Sequence, residues 1–120
     1  MEKKTEVLIS VYEYMQKLYG GIQDAVECYR INNNAGGMEL TVQIIEGLQW
    51  LIQALEATVE VQKEVIQIAE INDTLEEILD ALENEDTVLI ADLFEYELLD
   101  KIQEWYSKVC NSLEALLPQE

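Results

Sequence analysis

The stretch DTVLIADLFEYELLDKIQEWYSKVCNSLEALL, residues 86–117, decides the fold. Its apolar residues Ala91, Phe94, Leu98, Ile102, Trp105, Val109, Leu113 and Leu116 recur at intervals of three or four. That period belongs to one face of an α-helix and does not fit a strand, whose faces alternate at every second residue. Leu99, Tyr106, Cys110 and Leu117 widen the stripe, so the helix is expected to meet more than one neighbour. Glu97 with Lys101, and Glu104 with Lys108, stand four apart with the acid first, the order that favours an ion pair on the wet side. At 1.5 Å per residue the segment is about 45 Å long, and it needs partners of similar length.

The rest of the chain supplies them. Thr5 is placed to cap a first helix whose stripe runs Leu8, Val11, Met15, Leu18, Ile22, Ala25, Tyr29, interrupted by Gly20-Gly21. That pair reads either as a hinge or close-packing notch, or as a tolerated kink. Asn32-Asn33-Asn34-Ala35-Gly36-Gly37 is the clearest break, because asparagine and glycine accept the left-handed backbone that ends helices. A second helix starts near Met38 with the stripe Thr41, Ile45, Leu48, Ile52, Leu55, Val59, and Gly47 inside it marks a place where a neighbour comes close. Past Val59 the phase shifts, yet no breaker intervenes before Ile71. One helix to residue 70 is expected, with a bend near Gln62-Lys63 as the alternative. Asp73-Thr74 with Glu76-Glu77 resembles a capping box that opens a short helix, and Asp86 or Thr87 caps the last one. The expected fold is all-α: an antiparallel bundle of three long helices and one short helix, about 5–32, 38–70, 73–83 and 87–117, in one domain over 1–120.

Composition narrows the function. The chain has 120 residues, seven basic against 25 acidic, and a formal net charge of −18. Residues 36–86 alone hold thirteen acids and one base, Lys63. Phosphate backbones and anionic membrane surfaces are repelled by such a chain, so neither nucleic acid nor membrane is an expected partner. The apolar runs are too short for a membrane span, and the first residues lack the apolar core of a signal peptide, so a cytoplasmic location is expected. Cys28 and Cys110, far apart in sequence, read as two small packed residues rather than a disulfide.

Chemistry-bearing motifs are missing. With no histidine in the chain there is no histidine zinc site, catalytic triad or Glu-x-x-His di-iron motif. Gly36-Gly37 is not followed by the Lys-Ser or Lys-Thr of a phosphate loop, and neither acidic turn has the spacing of a calcium loop. Asp92, Glu95, Glu97 and Asp100 read as a solvated face, as do Asp73, Glu76, Glu77, Asp80 and Glu83. No enzymatic activity, cofactor or metal is expected.

Leu18-Tyr19-Gly20-Gly21-Ile22, early in a small acidic all-helical chain, resembles the Leu-Tyr-Asp-Gly stretch of the flagellin export chaperone family of bacteria, with Gly20 where that family has an acid. The resemblance implies a helical bundle whose groove takes a helix-forming flagellin tail, and no catalysis. From the residues themselves, surplus apolar positions around Leu89, Ile90, Leu93 and Phe94 point to a protein partner, either an amphipathic helix or a basic protein. The expected contact residues are Leu18, Tyr19, Ile22, Ile44, Trp50, Phe94 and Tyr96. A homodimer that uses the same surplus is the structural alternative, and an acidic mimic of nucleic acid is a third.

Overall fold

In a computed structural model that describes residues 2–117, the apolar stripes wind into helices, and no strand forms among those residues. Helix α1 spans Lys3–Arg30, α2 Asn34–Ala57, α3 Asn72–Glu83, α4 Thr87–Leu93 and α5 Leu99–Leu116. A π-helical turn, Phe94–Leu98, joins α4 to α5 without a break. Pro118 lies outside the described residues.

The two sharp turns have the same construction. Asn32 and Glu85 take left-handed backbone, with φ of 64° and 53°. After each, a long-reach hydrogen bond closes the preceding helix: Asn33 N–H donates to the Cys28 carbonyl at 2.8 Å, and Asp86 N–H to the Ala81 carbonyl at 2.8 Å. The same two residues then cap the next helix, with Asn33 accepting from Gly36 N–H and Asp86 from Leu89 N–H. The asparagine-rich break thus falls where the sequence places it, but α2 begins at Asn34, so Gly36 and Gly37 are helical. Gly37 is needed there, since a Cβ would lie 2.6 Å from the Tyr29 ring. Thr5 is not a cap: it is buried within α1, and Glu2 caps the helix instead.

Two further expectations fail. The second helix does not reach residue 70; it ends at Ala57. Thr58 turns its hydroxyl onto the Ala54 and Leu55 carbonyls, and Gln62 donates to the Leu55 carbonyl, so side chains take over acceptors that the helix would have used. Residues 58–71 then form a strap with two short 3₁₀ turns, Val59–Val61 and Ile68–Ile71. The strap is tied down at several points. Gln62 accepts from Ile66 N–H, Lys63 N–H donates to Ser112 Oγ on α5, Glu70 bonds Lys101, and Glu60 pairs with Lys4. Ile66 and Ile71 are buried beneath it. The Asp73-Thr74 capping box is not made either, because α3 starts directly from the second 3₁₀ turn at Asn72 with no side-chain cap.

The core is one cluster drawn from every helix, with Trp105 and Phe94 its largest fully buried side chains. Tyr29 of α1 sits on Gly37 and Thr41 of α2, and Tyr14 on Gly47 and Trp50, so α2 runs back along α1. Thr41 donates to the Gly37 carbonyl, and its hydroxyl is hydrogen-bonded to the Tyr29 hydroxyl at 2.7 Å. Gly20 and Gly21 interrupt nothing: α1 is continuous, and a Cβ on either would meet nothing within 4 Å, which removes the close-packing reading of that pair. The π-turn adds one residue to a helical turn, with Leu99 N–H bonded to the Phe94 carbonyl. It lets Phe94, Leu98 and Leu99 all face the core and breaks the expected Glu97–Lys101 register. Lys101 instead pairs with Glu70 and Glu104.

Candidate functional site: a groove between α1 and α5

On the side of α5 away from the strap, a furrow follows its crossing with α1. One cleft of about 250 Å³ is lined by Met15, Gln16, Tyr19, Ile102, Gln103 and Tyr106. A second, of about 510 Å³, lies toward the start of α1, with Ile9, Tyr12, Glu13, Cys110, Leu113 and Leu117 in its wall. Between them Tyr12 and Tyr106 stack, ring centroids 5.3 Å apart and planes inclined by 19°. These residues sit here because α1 carries Ile9, Tyr12, Gln16 and Tyr19 one flank away from its core stripe, and α5 carries Tyr106 and Cys110 likewise, with Leu117 just past its end. Except for the exposed Gln16, each is half-buried at the flank or the end of an amphipathic helix.

The groove is apolar and negatively framed. Its charged lining side chains are carboxylates, among them Glu13. The α5 lysines are committed elsewhere, Lys101 to Glu70 across the strap and both Lys101 and Lys108 to Glu104. The Tyr106 phenol is held above the usual tyrosine range, first by the Tyr12 hydroxyl and then by burial. Cys110 and Cys28 are both free and half-buried. Cys28 stands beside Asn33 at the α1–α2 turn, while Cys110 shares its cleft with Ile9 and Tyr12 near the opposite end of α1.

Of the seven expected contact residues, the groove contains one, Tyr19. Leu18, Ile22, Ile44 and Phe94 are core: each is at most 4% exposed and is covered by a facing helix, and α2 is turned from the expected stripe, burying Ile44 and Leu51 while Ile45 and Ile52 are half-buried and Val59 is exposed. As surface contacts these four are unavailable in this fold. Trp50 and Tyr96 are exposed, at 42% and 63%, but on other faces. Tyr96 rides on the π-turn, next to the Arg30 clamp on Asp92 and Glu95, and its phenol is raised first by the Glu95 carboxylate. The signal that could have found Tyr12 and Tyr106 was present in their flank positions, but nothing local pairs them.

Trp50 belongs to a separate concavity of about 350 Å³ between α1 and α2, lined by Tyr14, Gln43, Glu46, Gly47 and Trp50. Its two rings stand nearly perpendicular, at 76°, with centroids 5.3 Å apart. Burial raises the Tyr14 phenol.

Among the described residues, no helix is long and apolar enough to cross a membrane. No group of three or more His, Cys, Asp or Glu side chains among the described residues is placed to hold a metal ion. No curated protein and no solved structure matches the chain. A family model does, over residues 6–108, from the first turn of α1 to the middle of α5, and the chain therefore belongs to the domain of unknown function family DUF8042.

Proposed function

We propose that this chain is a non-enzymatic, cytoplasmic helical bundle that binds another protein, acting as a chaperone or adaptor. Its α1–α5 groove receives an amphipathic helix of the partner. In this reading α1, α2 and the α4–α5 rod are the long members of an antiparallel bundle, and α3 is the short one. The observation that carries it is the groove itself: two clefts in line, apolar walls, and the Tyr12–Tyr106 stack between them. A helix laid along α1 and α5 sets side chains at i, i+3, i+4 and i+7 into such clefts. Half-exposed aromatic rings in a furrow supply contact area at small entropic cost. The acidic frame and the net charge of −18 favour a partner helix with basic flanks. The Leu18–Ile22 stretch that resembles flagellin export chaperones puts Tyr19 in the groove wall, so a flagellin-type helical tail is the client class to try first.

The test is a titration of the isotopically labelled full chain with synthetic amphipathic Leu/Lys and Leu/Gln helical peptides, followed by amide chemical shifts. Saturable shifts confined to the groove positions of α1 and α5, and lost in Tyr19→Arg, support the reading. Shifts spread over α2 and α3, no shifts, or a stable dimer of the free protein that closes the groove would overturn it.

A further inference from the structure

The geometry points to a cation-accepting corner at Tyr14, Glu46 and Trp50, on the α1–α2 face and distinct from the groove, built to take an arginine guanidinium of a basic protein.

Its construction starts with Gly47. Without a side chain there, the Tyr14 hydroxyl fits against the α2 backbone, and a Cβ would collide with it. Seated so, the Tyr14 ring forms one wall and the Trp50 indole, at 76° to it, the other. The two rings meet edge to face, and the open part of the 42% exposed Trp50 indole, which lines the concavity, offers a π-face that attracts a cation. Glu46 stands one helical turn before Trp50 and lines the same concavity with a carboxylate. Gln43, one turn before Gly47, adds an amide at the mouth.

The choice of guanidinium follows from shape and charge. A planar guanidinium stacks on an indole while its edge N–H groups reach a carboxylate; an ammonium does only one of these well. None of the corner's lining residues is cationic, and α2 holds three acids, Glu39, Glu46 and Glu56, and no base. Trp50 is 42% exposed, so the ring is available without any rearrangement of the core.

The two tryptophans make the test direct. Trp105 is 1% exposed and serves as an internal reference for Trp50. The full chain is titrated with N-acetyl-arginine amide, N-acetyl-lysine amide and the uncharged N-acetyl-citrulline amide, and the two indole N–H signals are followed by NMR. The expected result is a saturable shift of the Trp50 signal with arginine, at least threefold weaker apparent binding with lysine, and none with citrulline, while Trp105 stays still. Glu46→Gln weakens arginine binding at least threefold, whereas Glu39→Gln, on the same helix but outside the corner, does not. An unmoved Trp50 signal overturns the proposal. So do equal responses to arginine and citrulline, equal movement of Trp105, or equal effects of the two glutamate variants.

Discussion

The Tyr14 hydroxyl occupies the volume that a Cβ on residue 47 would need, so a tyrosine on α1 and a glycine on α2 are matched to each other across the helix crossing. In a bare helix, Gly→Ala gains about 1 kcal/mol. Here Gly47→Ala should instead cost about 1–3 kcal/mol, the usual range for overpacking. Urea unfolding measures it, and Tyr14→Phe in the same chain should recover part of the loss. A Gly47→Ala protein as stable as the parent would mean that the crossing is looser than described.

Gly20 and Gly21 are the opposite case. Each lies inside α1 with open space where its Cβ would be. Gly20→Ala and Gly21→Ala should each raise stability by about 0.5–1 kcal/mol, through helix propensity alone. Loss of stability in either variant would point to a contact that the fold does not show.

The strap hangs on Gln62, whose amide accepts from Ile66 N–H at 3.0 Å and donates to the Leu55 carbonyl at 2.8 Å. Gln62→Ala leaves both buried backbone groups without that partner and should cost about 1–3 kcal/mol. Hydrogen exchange would localise the effect: faster exchange at Ile66 and along 58–71, with α1 protection little changed. Uniform loss of protection would instead show that the strap opens only with the whole molecule.

Glu85 holds left-handed backbone at φ 53°. A non-glycine residue there costs roughly 1–2 kcal/mol relative to the right-handed region. Glu85→Gly should therefore stabilise the turn by up to about 1 kcal/mol after its own entropy loss, and Glu85→Val should destabilise it. Thermal melts of the two variants shifting in the same direction would contradict this account.

Alkaline pH should unfold the protein through its tyrosines. Tyr14 and Tyr29 are raised first by burial, and Tyr106 first by Tyr12. An unfolded tyrosine loses its proton near pH 10. Above that pH the folded chain still holds protons that the unfolded chain has released, so stability falls as pH rises. Below it this contribution is constant. Urea midpoints should therefore be flat with respect to these groups up to about pH 9.5 and decline beyond. A midpoint that does not fall by pH 11 would remove the tyrosines as the cause.

Periodicity alone determined that the chain is helical and that Trp105 and Leu8 lie on apolar stripes, and local residue chemistry that Asn32–Asn34 and Asp86 mark boundaries, because a stripe and a cap are local facts of three to five residues. Charge alone determined the acidic character. What periodicity could not carry was anything that depends on a partner from a distant element. The second helix stops at Ala57 because Thr58 and Gln62 satisfy its carbonyls and Ser112, far along the chain, receives Lys63 N–H. No local breaker announces it beyond the phase shift after Val59. The stripe over 94–99 is wider than an ideal helix allows, and only packing turned that surplus into a π-turn with three buried residues. Apolar identity likewise could not separate Leu18, Ile22, Ile44 and Phe94, which the facing helices cover, from Tyr12 and Tyr106, which they leave half open. Helix crossing decides burial, so the groove and the Tyr14–Trp50 corner exist only in the tertiary structure.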